Sequence, residues 1–150
     1  MKIVLQRVAE AKVEVDGKTI GSIGNGYLLL VGVVAEDTAD IADKMVEKIS
    51  RLRIFQDSEG KTNLGISEVQ GEVLIISQFT LCADCRKGNR PSFTGAGNPA
   101  MAKELYEYIL EKSKPLFKNV QSGEFGADMK VSLVNDGPFT LVLDSNEILK

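Results

Sequence analysis

The 150-residue sequence contains no histidine. This absence excludes the Ser-His-Asp and Cys-His arrangements of nucleophilic catalysis, zinc sites with histidine ligands, and the usual general base near neutral pH. Any catalysis by this chain therefore has to use carboxylates, lysine, hydroxyl groups, backbone groups or the substrate itself.

Cysteine is scarce, since the chain has only Cys82 and Cys85, in a C-x-x-C spacing. A closed zinc site built on two cysteines without histidine would need two carboxylates, which is unusual for structural zinc. A redox pair of this spacing is expected to open a helix, and the sequence RKGNRPSF that follows has no helical pattern. We therefore expect two incidental thiols, no metal and no cofactor; a dithiol reductase stays as a rival hypothesis.

Long apolar runs are also absent, and the N-terminal sequence alternates like a strand instead of resembling a secretory signal. We therefore expect no membrane association and a cytoplasmic location. The net charge of −3 argues against general coating of nucleic acid, although it leaves room for a local basic patch. A length of 150 residues with 43% hydrophobic residues predicts one domain, residues 1–150.

The first third of the chain has the pattern of strands. Val13 and Val15 alternate with charged neighbours before the turn at Asp16-Gly17, and a second strand, a glycine-rich turn at 24–26 and a buried third strand follow. The stretch GSIGNG lacks the Walker pattern and precedes a strand, so it predicts a hairpin turn and not a phosphate loop.

Two helices are predicted. Asp37 or Thr38 can cap the first, and Asn98-Pro99 opens the second, which should run to about Lys114. The apolar positions that support them are Ile41, Met45, Ile49 and Leu52 in the first helix, and Leu105, Tyr108 and Ile109 in the second.

The rest of the chain favours strands. Residues 72–84 form the most strand-like segment, too apolar around 73–76 to be an edge strand. A short strand and polar turn are expected at 53–64, and the chain from Val120 onward predicts three strands. The fold class is therefore strand-rich α/β, with an α+β-like separation of helices from strands.

Polar side chains follow the buried strand at Ser77, Gln78 and Thr80. Such residues are common where a strand reaches the surface, which is the simplest interpretation. They also need hydrogen-bond partners or an opening to water, and backbone N–H groups at a strand end can hold a carbonyl oxygen or an oxyanion. Composition alone does not decide between a strand end at the surface and a binding site.

One loop of this acidic chain combines positive charge with an aromatic ring, through Arg86, Lys87, Arg90 and Phe93. Such a loop can contact phosphates and stack a base, although a solvated surface loop has the same composition.

Near the C-terminus, Asp136-Gly137 lies between two apolar runs and resembles a hairpin turn. Pro138 conflicts with that interpretation, because proline has no N–H for a strand ladder and restricts the preceding residue.

Five motifs together resemble one family, the D-aminoacyl-tRNA deacylases. They are QRV at 6–8, LRIF at 52–55, SQFTL at 77–81, RPSF at 90–93 and ADMKVSLVNDGP at 127–138. The resemblance runs nearly end to end, and Cys82 and Cys85 are not part of it.

The resemblance implies hydrolysis of the ester between a D-amino acid and the 3′-terminal adenosine of tRNA, and of glycine mischarged on tRNA. It implies a compact barrel-like arrangement of antiparallel and mixed sheets with two main helices on one face, in a homodimer whose active site lies at the subunit interface. Carried over by residue, Ser77, Gln78, Phe79 and Thr80 line the site, with Met129 in the pocket wall. Gly137-Pro138 is the Gly-cis-Pro motif that rejects L-amino acids.

Two mechanisms remain open. Thr80 has been regarded as the nucleophile in this family, but a threonine hydroxyl is weakly nucleophilic without an adjacent base. The alternative, which we favour, holds the carbonyl on the amides of Gln78 and Phe79 while the substrate's ribose 2′-OH helps to activate water. A non-catalytic RNA-binding module using Arg86, Arg90 and Phe93 is the rival function.

Overall fold

The computed structural model describes residues 1–150 as a strand-rich α/β fold, as the sequence predicts. None of its helices is both long and apolar enough to cross a membrane. The elements in chain order are β1 (Lys2–Val15), β2 (Lys18–Ile23), β3 (Gly26–Gly32), α1 (Ala39–Ser50), β4 (Arg53–Gln56), β5 (Thr62–Gly65), β6 (Glu72–Ser77), a 3-10 helix (Phe79–Cys82), α2 (Pro99–Ser113), β7 (Val120–Ser122), β8 (Lys130–Asp144) and α3 (Ser145–Ile148).

The long strand β1 organises the main sheet. It pairs antiparallel with β3 along its first half, with β2 along its second half, and with β8 along nearly its whole length. The order β2-β1-β3-β6-β7, with β8 added to β1, gives a mixed sheet that curves into a nearly closed barrel. Strands β4 and β5 form a separate two-stranded sheet.

Strand β6 is apolar from Val73 to Ile76 because both of its faces are buried there. Val73 and Ile75 belong to the main core, which α1 and α2 cover, whereas Leu74 and Ile76 belong to a second cluster on the opposite face. This alternation follows from the two-residue period of a strand. The two main helices therefore pack on one face, and the sequence-based fold class is confirmed.

The two residues that precede α1, Asp37 and Thr38, have different roles. Thr38 caps α1 by accepting a hydrogen bond from the Ile41 amide, and Asn98 caps α2 by accepting one from the Met101 amide. Asp37 instead accepts from the α-ammonium group of Met1 at 2.6 Å, in an ion pair whose side chains are 0% and 1% exposed.

Helix α2 buries Tyr106 more deeply than the predicted Tyr108. Tyr106 packs in the main core and donates to the Ile75 carbonyl at 2.7 Å, and burial raises its pKa to about 12. Tyr108 is half-buried against the same core and donates to the carboxylate of Asp43. The sequence prediction chose Tyr108 because both tyrosines lie within one residue of the apolar stripe.

Two strand predictions were wrong. The segment 72–84 is not one strand, because β6 ends at Ser77 and the 3-10 helix follows. The chain from Val120 onward forms two strands instead of three, since β8 continues through Asp136-Gly137 without a hairpin. The second strand of the β4–β5 pair, Thr62–Gly65, was not predicted.

Candidate functional site at the end of strand β6

The candidate site begins where β6 meets the 3-10 helix. Ser77 pairs with Val31 at the end of the parallel β3–β6 ladder, and the chain then turns across the end of β3. Gly32 permits this close crossing, because a Cβ at this position would lie 2.9 Å from the Cβ of Leu81 and 3.2 Å from the Gln78 carbonyl oxygen. The sheet therefore fixes the backbone of this turn.

Only one of the two amides expected to hold a carbonyl is free. The Gln78 N–H donates to the Val31 carbonyl at 2.8 Å, so the sheet uses it, and this corrects the two-amide hypothesis. Phe79 is the first residue of the 3-10 helix, where an N–H has no partner within the helix, and no other acceptor in the chain lies within reach.

The hydroxyl of Thr80 has a neighbour, but that neighbour is not a base. The Gln78 Nε2 donates to the Thr80 Oγ1 at 2.6 Å, and no carboxylate or amine is hydrogen-bonded to this hydroxyl. An amide group does not accept a proton near neutral pH, so the contact orients Thr80 without activating it.

A cavity of about 670 Å³ opens beside this turn. Its wall is mostly apolar, and its size falls within the range of small-molecule sites. The predicted residues Ser77, Gln78, Phe79, Phe93 and Met129 line it, whereas the predicted Thr80 does not. The other lining residues are Val33, Ile76, Ala96, Gly97, Asn98, Pro99, Ala102, Phe125, Gly126, Ala127, Asp128 and Val131.

Two exposed aromatic rings stand at the rim of the cavity. Phe79 is 57% exposed and Phe93 is 37% exposed, and their ring centroids lie 5.1 Å apart in an edge-to-face contact. Large exposed aromatic side chains are costly in water, and they are suited to binding a flat apolar group.

The charged residues of the basic loop lie outside the cavity lining, and their charges are not equivalent. Arg86 donates to both carboxylate oxygens of Asp84, at 2.9 and 2.7 Å, and these bonds lower the pKa of Asp84 to about 2. Lys87 and Arg90 are exposed and make no salt bridge or side-chain hydrogen bond. The charge of Arg86 is therefore offset, whereas those of Lys87 and Arg90 are available.

Gly137 and Pro138 lie at the tip of a bulge in β8, joined by a cis peptide bond. Four residues, 136–139, stand opposite Arg7 alone, because β1 and β8 pair as Gln6 with Thr140 and then Val8 with Asn135. Both tip residues are exposed, and neither lines the cavity of its own chain.

The buried side chain of Arg7 supports this bulge. Its Nε donates to the Asp136 carbonyl at 2.8 Å, its Nη1 donates to the Ile54 carbonyl at 2.6 Å, and its guanidinium carbon lies 4.5 Å from the centroid of the Phe139 ring. The bulge is therefore tied to the core at its base.

The two cysteines make no disulfide. Cys82 is buried with its thiol 3.5 Å from the Val33 carbonyl, and burial raises the pKa of that thiol. Cys85 is exposed. No group of three or more His, Cys, Asp or Glu side chains is placed to hold a metal ion.

The sequence patterns did not assign several residues of the cavity to the site. Asn98 and Pro99 were predicted only as the start of α2, Asp128 only as part of the motif at 127–138, and Val33 and Phe125 had no predicted role in the site. The run GNPA carried a signal, because a helix that begins directly after the basic loop has to bring its first turn near that loop.

Comparison with known proteins identifies the family. The family model described as D-Tyr-tRNA(Tyr) deacylase matches residues 4–144. The D-aminoacyl-tRNA deacylase of Lactobacillus acidophilus is 55% identical over 96% of this chain and 99% of its own length. That of Thermosipho africanus is 53% identical over 99% of both chains.

Solved structures agree with this match. The structure of a protein named c-Myc DNA Unwinding Element Binding Protein has a TM-score of 0.90 at 40% identity and covers 96% of this chain and 98% of its own. A probable eukaryotic D-amino acid tRNA deacylase has a TM-score of 0.83 at 17% identity, covers 95% and 97% of the two chains, and shares the fold. These matches define a hydrolase that acts on aminoacyl-tRNA. The chain belongs to the D-aminoacyl-tRNA deacylase family.

Proposed function

We propose that this chain hydrolyses the ester of D-aminoacyl-tRNA, and of glycine mischarged on tRNA, and that it refuses L-aminoacyl-tRNA. The observation that carries the proposal is an apolar cavity with an aromatic rim, lined in part by Phe79, whose backbone amide has no acceptor in the chain. The cavity would take the terminal adenosine, whose base has apolar faces for Phe79 and Phe93. The ester would then lie at the end of β6.

The chemistry we propose uses the backbone and the substrate. The Phe79 N–H holds the carbonyl oxygen, where negative charge develops. Water attacks the carbonyl carbon with help from the ribose 2′-OH, the bond to the 3′-oxygen breaks, and that oxygen takes up the proton. The products are the free amino acid and tRNA with its 3′-OH. Ser77, Gln78 and Thr80 position these groups.

Thr80→Ala is expected to keep at least about a tenth of the deacylase activity, because a hydroxyl bonded only to the Gln78 amide is not an activated nucleophile. Single-turnover hydrolysis of D-tyrosyl-tRNA measures this effect. Thr80→Val, which keeps the side-chain size, is the matched control for packing. An aminoacyl ester trapped on Thr80 would overturn the proposed chemistry.

Chiral selection is proposed to come from a second copy of the chain. The bulge that carries Gly137 and Pro138 is exposed and does not line the cavity of its own chain. Strand β8 also presents the exposed apolar residues Val134 and Val142. Docking of two copies would insert the bulge of one into the cavity of the other. Its two carbonyls would receive the substrate ammonium and leave no room for an L side chain, while a D side chain points away.

The decisive experiment compares tRNA charged with D-tyrosine, L-tyrosine and glycine. The proposal requires release of D-tyrosine and glycine but not of L-tyrosine. A Val142→Arg variant, with its oligomeric state measured by sedimentation, tests the second copy. Equal rates for the D and L substrates with the unaltered chain contradict the proposed selection.

Two cations of the basic loop are proposed to contact tRNA phosphates. Replacing Lys87 and Arg90 together by alanine should weaken tRNA binding and reduce the slope of log K against log salt by about 1.4, at about 0.7 for each lost phosphate contact with a single strand. Fluorescence anisotropy over a salt series measures this slope.

Asp84 provides the control for this prediction. Asp84→Ala should tighten tRNA binding, because it frees the charge of Arg86. If Arg86→Ala weakens tRNA binding more than Arg90→Ala does, the phosphate contact belongs to Arg86 and the prediction for Arg90 is wrong.

The rival functions make different predictions. A non-catalytic RNA-binding module would bind tRNA equally well after changes at residues 77–80 and release no amino acid. Binding of duplex DNA, suggested by the name of one structural neighbour, is not favoured by a net charge of −3. A dithiol reductase is not favoured, because the raised pKa of Cys82 opposes thiolate formation.

A further inference from the structure

Asn135 closes the neck of the β8 bulge. Its Nδ2 donates to the Phe139 carbonyl at 2.9 Å, and its Oδ1 accepts from the Phe139 amide at 2.9 Å. The same Nδ2 lies 3.2 Å from the Arg7 carbonyl oxygen, to which it also donates. One side chain thus joins both ends of the bulge to each other and to β1.

At this point the Asn135 carboxamide makes the hydrogen bonds that a neighbouring strand would otherwise make. Bulging removes Phe139 from the ladder with β1, so both of its backbone groups need other partners. A side-chain amide offers a donor and an acceptor a few ångströms apart, as a peptide group of a neighbouring strand does. Neither a carboxylate nor an aliphatic side chain can satisfy both groups.

Few other contacts hold the tip of the β8 bulge in place. Gly137 and Pro138 are exposed, and neither takes part in a side-chain hydrogen bond. Arg7 holds the Asp136 carbonyl and stacks on the Phe139 ring, but the backbone N–H and carbonyl of Phe139 are held by Asn135. The direction of the tip carbonyls therefore depends on this neck.

We propose that Asn135 is a positioning residue that determines chiral specificity by fixing the Gly137 and Pro138 carbonyls. This inference rests on the proposed function, in which these carbonyls exclude an L side chain. Exclusion depends on the position of the two carbonyls, because every L side chain begins on the side that they occupy and their displacement opens that side. Loss of the neck should therefore admit L substrates.

The test measures hydrolysis of D-tyrosyl-, L-tyrosyl- and glycyl-tRNA by the full chain and by Asn135→Ala. The ratio of the L-tyrosyl rate to the glycyl rate is expected to rise by about tenfold or more, since the side chain that held the gate is removed. Unfolding cannot produce this result, because it lowers all rates together. Asn25→Ala removes an exposed asparagine that bonds only the Val69 carbonyl, and should leave the ratio unchanged.

Each remaining outcome has a distinct meaning. If the unaltered chain releases neither D-tyrosine nor glycine, the proposed function fails. If it is selective and Asn135→Ala keeps the same ratio, or lowers all three rates alike, the role of Asn135 is overturned. If Asn135→Ala does not fold, the same ratio is measured for Asn135→Asp. This variant keeps the acceptor for the Phe139 amide and loses the donor to the Phe139 and Arg7 carbonyls.

Discussion

Phe79→Ala is expected to lower kcat/KM for D-aminoacyl-tRNA by about 5- to 150-fold, because a base stacked on an aromatic ring contributes about 1–3 kcal/mol. The side chain is 57% exposed at the cavity rim, so its removal leaves little unfilled space in the core. The backbone amide that is proposed to hold the carbonyl remains. The loss should therefore appear mainly in KM, and Phe79→Trp should restore much of it.

The neighbouring ring provides a second measurement. Because Phe79 and Phe93 are in contact, the effects of Phe79→Ala and Phe93→Ala should not be additive in the double variant. Leu116→Ala is the control, since Leu116 is also an exposed large apolar residue but does not line the cavity. If Phe79→Ala changes KM no more than Leu116→Ala does, the adenosine is not bound at this rim.

Asp37→Asn is expected to lower the free energy of unfolding by about 3–5 kcal/mol, the usual cost of leaving one charge of a buried ion pair unpaired. The partner is the α-ammonium group of Met1, and both side chains are almost fully buried. Asparagine has the size of aspartate and can still accept from the Val34 amide, so the change isolates the charge. Chemical denaturation measures the loss.

Asp40→Asn is the matched control for this prediction. Asp40 pairs with Lys44 at 2.7 Å, but both side chains are more than half exposed, so its loss should change stability far less. Similar denaturation midpoints for the Asp37 and Asp40 variants would contradict the importance of burial for the Asp37 pair.

The sequence predicted elements whose causes are local. The run 73–76 can be buried only on both faces, and β6 lies between β3 and β7 with its side chains divided between two cores. Asparagine followed by proline predicts the start of a helix, and α2 begins there. The candidate turn at 77–80 was found because polar residues directly follow a buried strand.

The features that sequence did not predict depend on pairing between distant segments. The NDGP bulge looks like a hairpin locally, and only the ladder with β1 keeps both sides in one strand. The Gln78 amide is used by the Val31 carbonyl, which lies 47 residues earlier. The local sequence around a residue does not identify partners that lie in a distant segment.

Residues of the cavity wall also pack in the fold, and this restricts the substitutions that the wall can accept. Ile76, Met129 and Val131 line the cavity and also belong to, or pack against, the second apolar cluster. A substitution that enlarges this wall also removes packing from the fold. Phe79 and Phe93 are exposed at the rim and belong to neither apolar cluster. Evolution of a different substrate range should therefore proceed through the rim, while the wall stays constant among descendants of this chain.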